Sequence, residues 1–218
     1  MTGWVERFVD THGQVSATST ATGMEFSAAD GSWASLDLWW RPPDPPVPAG
    51  SGVWRGAWAL GAAALAAPPM LAVAVRRGGW AVGVVADGAE RAGKAGRAYV
   101  QGRTSKGGSS QGRYQRRRGN QTDALVADAV ARLRLVLADT DVMTGVEVVV
   151  TAGDRLLIRQ VLERAGVELP RAGPMPVGDP RRVTLADLAT RVRGVRVRVR
   201  NASALGVPGP VDGARPTT

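Results

Sequence analysis

The stretch Gly102–Gln121, GRTSKGGSSQGRYQRRRGNQ, holds the residues best suited to chemistry in this chain. Four glycines (Gly102, Gly107, Gly108, Gly112) and three serines (Ser105, Ser109, Ser110) fall within eleven positions. Glycine is required where a backbone takes φ > 0 or comes close to a ligand. Arg103 and Lys106 on one side, and Arg113, Arg116, Arg117 and Arg118 on the other, suit a phosphate backbone. Tyr114 can stack on a base. These types describe a nucleic-acid-facing loop with a polar tip, joining a strand to a long helix. The competing reading is a solvated basic loop without function. Other anion-binding motifs fail: Lys106 precedes its glycine pair, so the P-loop spacing is absent, and no GxGxxG opens a helix after a strand.

The charge distribution points the same way. The chain has 218 residues, 28 basic and 19 acidic, for a formal net charge of +9. Lys94 and Lys106 are the only lysines, and with abundant Ala, Gly, Val and Pro the arginine excess reads as a coding bias. Position is more informative than number. Arg91, Lys94, Arg97, Arg103, Lys106, Arg113, Arg116, Arg117 and Arg118 occur with no acid between them, and this window accounts for the entire net charge. A polyanionic partner is expected. There is no cysteine, which excludes disulfides, thiol nucleophiles and cysteine-ligated metals. A single histidine, His12, excludes a multi-histidine metal site.

Several elements must position this loop. Trp4, Val5, Phe8 and Val9 share one face of a short helix. Gln14–Thr20, Gly23–Ala28 and Ser32–Leu38 read as strands, with Asp30-Gly31 as a hairpin signal. Residues 41–52, RPPDPPVPAGSG, read as a stiff proline-rich linker. Ala57–Ala67 is a helix candidate ended by Pro68-Pro69. Met70–Arg76 and Trp80–Ala86 flank a turn, and Arg97–Arg103 is a third strand candidate. Asn120–Ala138 is the clearest helix, with Leu125, Ala129, Leu133, Val136 and Leu137 on one face and Asn120 or Thr122 as cap. Gly145–Thr151 reads as a buried strand and Arg155–Ala165 as a helix capped by Asp154. Pro170–Pro180 reads as a loop, Thr184–Arg193 as a helix and Gly194–Arg200 as an alternating strand. The order predicts an α/β fold on a mixed sheet. The expected divisions are a small helix-plus-hairpin piece at 1–40, a linker at 41–52, a catalytic domain at 53–203 and a tail of disordered composition at 204–218. Gly56–Val75 is free of charge over 20 residues, but it is Ala-rich and broken by Pro68-Pro69, so a buried helix, turn and strand explain it better than a membrane span. The start, MTGWVERFVD, lacks the apolar run of a signal peptide.

The run Gly102-Arg103-Thr104, Gly107-Gly108-Ser109-Ser110-Gln111, Arg116-Arg117-Arg118 and Asn120-Gln121 resembles the actinobacterial branch of the Vms-like release factors. These are peptidyl-tRNA hydrolases of ribosome quality control, related to the catalytic domain of archaeal and eukaryotic release factors. The resemblance is densest over residues 70–138 and extends through Ala152-Gly153-Asp154-Arg155. It implies an RNase H-like α/β domain with flanking helices, preceded by a small α+β addition. It implies that Gln111 is the catalytic glutamine, with Gly107 and Gly108 as the glycines before it. Ser109-Ser110 between them departs from Gly-Gly-Gln, so the loop geometry differs from that tripeptide. Gln121, Gln101 and Gln115 are weaker candidates. The implied partners are the large ribosomal subunit and peptidyl-tRNA, with no membrane, no DNA, no cofactor and no metal. The implied location is the cytoplasm.

The chemistry suits these residues. The substrate would be the ester joining a peptide to the terminal ribose of tRNA. Such an ester needs a positioned water and support for the developing oxyanion more than a strong acid or base. A glutamine amide offers donor and acceptor without charge. The alternatives are a non-catalytic ribosome or tRNA-binding factor, and a tRNA acceptor-end nuclease. For the nuclease, Asp87 and Asp154 are the only carboxylates singled out, and both read better as a turn and a helix cap. His12 reads as structural, the seven tryptophans mostly as core, and Arg196, Arg198 and Arg200 as a solvated strand face. Trp39-Trp40, beside the proline run, is a candidate interaction site.

Overall fold

The computed structural model describes residues 2–97 and 111–202. They form two compact units, one from residues 2–38, 42–62 and 195–202, the other from 39–41, 63–97 and 111–194. The first opens with α1 (Thr2–His12), β1 (Val15–Ser19), β2 (Gly23–Ala28) and β3 (Trp33–Leu38), an antiparallel meander. The predicted face of α1 buries Val5 and Phe8. The Phe8 ring lies 6.0 Å from Phe26 and stacks on Trp4 at 5.3 Å. His12 is structural as expected: Nδ1 bonds Asp30 Oδ2 at 2.8 Å, beside the Phe8 ring. That bond, with those from Ser32, holds the Asp30 carboxyl below its ordinary value. α2 (Val53–Leu65) follows. A Cβ at its Gly56 would fall 2.5 Å from Met24 Cε, so the helix lies tight on the sheet.

The second unit contains β4 (Met70–Arg76), β5 (Gly79–Ala86), β6 (Ala89–Arg97), α3 (Gln111–Leu137), α4 (Thr140–Met143), β7 (Val148–Gly153), α5 (Arg155–Ala165), β8 (Arg171–Met175) and α6 (Arg182–Val192). Its strand order is β6-β5-β4-β7-β8. β4, β5 and β6 are antiparallel neighbours, while β7 runs parallel to both β4 and β8. This is the mixed sheet of an RNase H-like fold, as expected. Strands buried on both faces read as continuous apolar runs, which is what MLAVAVR and VVVTAG are. One face packs Leu71, Val73, Val75, Trp80, Val82 and Val84 against α3 and α5. The other packs Met70, Ala72, Ala74, Ala81 and Val85 against α6, with Trp39 and Trp40 at its margin. Among the described residues, no helix is long and apolar enough to cross a membrane.

The chain then returns to the first unit through β9 (Val195–Arg200), which pairs antiparallel with β3. The expected 53–203 domain therefore differs from the observed units: α2 falls mostly in the first, and β9 completes its sheet in the order β1-β2-β3-β9. Strand alternation in VRVRVR defines a half-buried strand without naming its partner. The Arg196–Arg200 stripe is not simply solvated. Asp37, a buried carboxylate, accepts from Thr22 Oγ1 (2.9 Å), Ser35 Oγ (2.8 Å) and Arg198 Nη2 (3.0 Å). Burial pushes its carboxyl upward, but the bonds from Ser35, Thr22 and Arg198 outweigh that and hold it below the ordinary carboxylate value. The 41–52 stretch has no regular element, as predicted, yet it is not a free linker. Val47 is buried and the Pro48 carbonyl accepts from Ser19 Oγ at 3.0 Å.

Other boundaries differ for physical reasons. The third strand of the mixed sheet is Ala89–Arg97, and residues 98–103 of the strand expected at Arg97–Arg103 lie outside the described residues. Asp87 (φ 53) and Gly88 (φ 79) make a tight two-residue turn directly after β5. α3 starts at Gln111 rather than Asn120, and β8 lies inside the expected Pro170–Pro180 loop. Two of the seven tryptophans, Trp54 and Trp58, are exposed rather than core. The 204–218 tail lies outside the described residues.

Candidate RNA-facing site at the carboxyl edge of the sheet

β6 ends at Arg97 and α3 begins at Gln111, so the two elements hold the ends of the 98–110 segment. Gly107, Gly108, Arg103 and Lys106 lie in that segment, outside the described residues. Gln111 is the first residue of α3. Arg113, Tyr114, Arg117 and Arg118 follow in the opening turns, their side chains outside the described set, and Arg116 is exposed.

α3 packs on the sheet through its later turns. Its first buried side chain among those described is Leu125, followed by Val126, Ala129, Val130 and Leu133. At 1.5 Å per residue, Gln111 stands about 20 Å along the helix axis from Leu125. The anchored part is held firmly. Trp80 on β5, 3% exposed, donates from Nε1 to Asp128 Oδ2 at 2.8 Å. Arg164 on α5 lies 3.6 Å from Asp123, and Arg134 Nη2 donates to the Arg164 carbonyl at 2.6 Å. Asp123 and Asp128 on α3 thus contact α5 and β5. The first turn of α3 carries no acid. A helix amino end bears partial positive charge, which adds to the basic character of this arginine-rich start.

The root of the segment is also basic. A cleft of about 270 Å³ is lined by Gly96 and Arg97 on β6 and by Pro180, Arg181 and Arg182 at the start of α6. Arg182 pairs with Glu90 at 3.1 Å. Sequence reasoning does not join Arg181-Arg182 to the loop. The available signal is a dibasic pair after a proline, but only the sheet brings it beside Arg97. Asp87 and Asp154 take the roles expected of them. Asp87 sits in the turn, and Asp154 caps α5 by accepting from Leu156 N (2.9 Å) and Leu157 N (3.2 Å). Among the described residues no cluster of three His, Asp or Glu side chains could hold a metal ion.

The family model for the Actinobacteria/chloroflexi VLRF1 release factor matches residues 68–198, more than half of the chain. The chain belongs to this family. The VLRF1 match begins just before β4 and includes β6, the 98–110 segment, α3 and most of β9. As a member, the protein has a release-factor-like role in translation. No curated protein matches the chain.

Proposed function

We propose that the protein is a peptidyl-tRNA hydrolase that frees nascent chains from stalled large ribosomal subunits. The observation that carries this reading is the VLRF1 match across β6, the Gly/Ser segment and α3, in a molecule whose 27-residue α3 begins at Gln111. A long helix with Gln111 at its start can present that residue to an RNA cleft. Gly107 and Gly108 let the backbone pass close to RNA. The Gln111 amide positions a water against the ester carbonyl, accepting from the water through Oε1. Its backbone N–H supports the oxyanion or the departing ribose oxygen. Arg103, Lys106, Arg113, Arg116, Arg117 and Arg118 hold phosphates around the segment, and Tyr114 stacks on a base. The work is positioning and electrostatic support in a site completed by ribosomal RNA.

The test is a release assay on large-subunit complexes carrying peptidyl-tRNA. The wild-type chain should liberate peptide and leave tRNA with its full acceptor end. Gln111→Ala should bind the same complexes and liberate none. Release by that variant at the wild-type rate refutes the role of Gln111. Shortened tRNA in place of the intact product indicates the nuclease reading.

A further inference from the structure

A second basic site lies on the α5 face of the sheet. A cavity of about 520 Å³ opens between the first turns of α5 and the β7–β8 edge, with Thr151, Arg155, Leu156, Arg159, Arg171 and Pro174 among its walls. The volume is in the range of small-ligand sites. Three guanidinium groups and no carboxylate line it. Arg155 and Arg171 make no ion pair among the described residues, and Arg159 has only a loose, exposed contact of 3.7 Å to Glu163. Such an exposed pair holds its arginine weakly.

The helix end itself is not the attraction, because Asp154 already occupies the Leu156 and Leu157 N–H groups. The anion must be taken by the side chains. The floor is fixed: Thr151 Oγ1 donates to the Ala172 carbonyl at 2.9 Å. Gly173, at φ +98, leaves no room for a Cβ, which would fall 2.5 Å from the Thr151 carbonyl. The β7–β8 register shifts at this point and β8 ends the sheet, so the cavity opens outward. Leu156, 52% exposed, and Pro174 add apolar surface on which a ribose or base can lie.

We propose that this cavity binds a short run of RNA backbone, two or three successive phosphodiesters held by Arg155, Arg159 and Arg171. Arginine forks match phosphate oxygens bidentately. β6 runs parallel to β4 and β7, so Arg97 ends at the same sheet edge from which α5 starts. β6 and β8 are four strand spacings apart, about 19 Å. The cavity and Arg97 therefore border one edge, and an RNA surface can engage both. This inference goes beyond the hydrolase reading and does not depend on Gln111.

The test is fluorescence anisotropy with a labelled oligouridylate of about a dozen nucleotides, over a range of salt. Arg155→Gln with Arg171→Gln should weaken binding and lower the slope of log K against log[salt] by about 1.4, at about 0.7 per lost single-strand contact. Arg155→Lys with Arg171→Lys should keep the slope while binding more weakly. Arg132→Gln, outside the cavity, should leave affinity nearly unchanged. An unchanged slope in the Gln pair, an equal per-charge loss for Arg132→Gln, or uridine monophosphate binding as tightly as the oligomer would each overturn the proposal. Gln111→Ala should bind the oligomer normally, so failure of the release assay and failure of this site are read separately.

Discussion

Trp80 crosses Gly96, its direct partner on β6, and this contact gives a quantitative test of how α3 is anchored. A Cβ at Gly96 would fall 2.5 Å from Trp80 Cε2, 2.6 Å from Cζ2 and 2.7 Å from Nε1. Carbon atoms in good contact sit about 3.5 Å apart, so Gly96→Ala must push the indole about 1 Å. The ring has nowhere easy to go, since it is 3% exposed and tethered through Nε1 to Asp128 on α3. Overpacking of this kind costs about 1–3 kcal/mol, partly offset by about 0.5–1 kcal/mol from replacing a strand glycine. The net expectation is about 1–2 kcal/mol of destabilisation and a fall in thermal midpoint of about 2–8 °C. Trp80→Phe alone should also destabilise, by about 1–2 kcal/mol, through the lost bond to Asp128 and the lost ring surface. In the double variant the smaller ring vacates part of the space that the added methyl group needs. The two effects should then fall short of their sum by about 1 kcal/mol, a coupling readable in denaturant unfolding of all four proteins. Additivity within about 0.3–0.5 kcal/mol would refute the claim that the indole rests on Gly96.

Gly107→Val and Gly108→Val should each impair release in the large-subunit assay, because β-branched side chains disfavour φ > 0 and fill space against RNA; normal release by both removes that requirement. Replacing Arg113, Arg116, Arg117 and Arg118 with Gln should lower the salt slope of ribosome or tRNA binding by about 0.7–0.9 per lost phosphate contact and leave the thermal midpoint unchanged. A lowered midpoint with an unchanged slope would mean that they stabilise the protein instead. Asp37→Asn should destabilise the first unit at neutral pH by about 1–3 kcal/mol, since Arg198 loses its carboxylate. The Asp37 carboxyl is depressed when folded, so its stabilisation is complete above the unfolded value of about 3.9 and is lost as pH falls through the lower, folded value. The wild-type protein should lose stability below about pH 4 more steeply than Asp37→Asn, as followed by circular dichroism.

Apolar elements are legible in the sequence and polar ones are not. β4, β5 and α5 announce themselves because burial dictates runs of Val, Ala and Leu and a capping Asp154. β6, AERAGKAGR, is a solvated edge strand whose sequence carries no apolar alternation. Its existence follows from the Asp87-Gly88 turn and from pairing with β5. The first turns of α3 escape the sequence for a related reason: they are polar all round, so no 3.6-residue pattern marks them and Asn120 resembles a cap. β8 contains glycine and proline and is formed by its neighbour β7 alone. Of the candidate site, the residue types and the concentration of charge are readable. The start of α3 at Gln111 and the approach of Arg181-Arg182 to Arg97 require the structure.

The late return of β9 has a consequence for how the chain is made. β3 lies beside β9 in the finished sheet, yet about 160 residues separate them in the sequence. At a synthesis rate of about 5–20 residues per second, the β3 edge waits about 8–30 s for its neighbour. During that interval the first unit is a three-stranded meander with an open edge, and Asp37 lacks Arg198. The interrupting segment contains every strand and helix of the mixed sheet except its margin at Trp39–Arg41, so it can fold as an enclosed insert while its host is unfinished. A chain whose synthesis halts between residues 194 and 200 would therefore contain every residue of the mixed-sheet unit while the amino-terminal sheet still lacks part of β9.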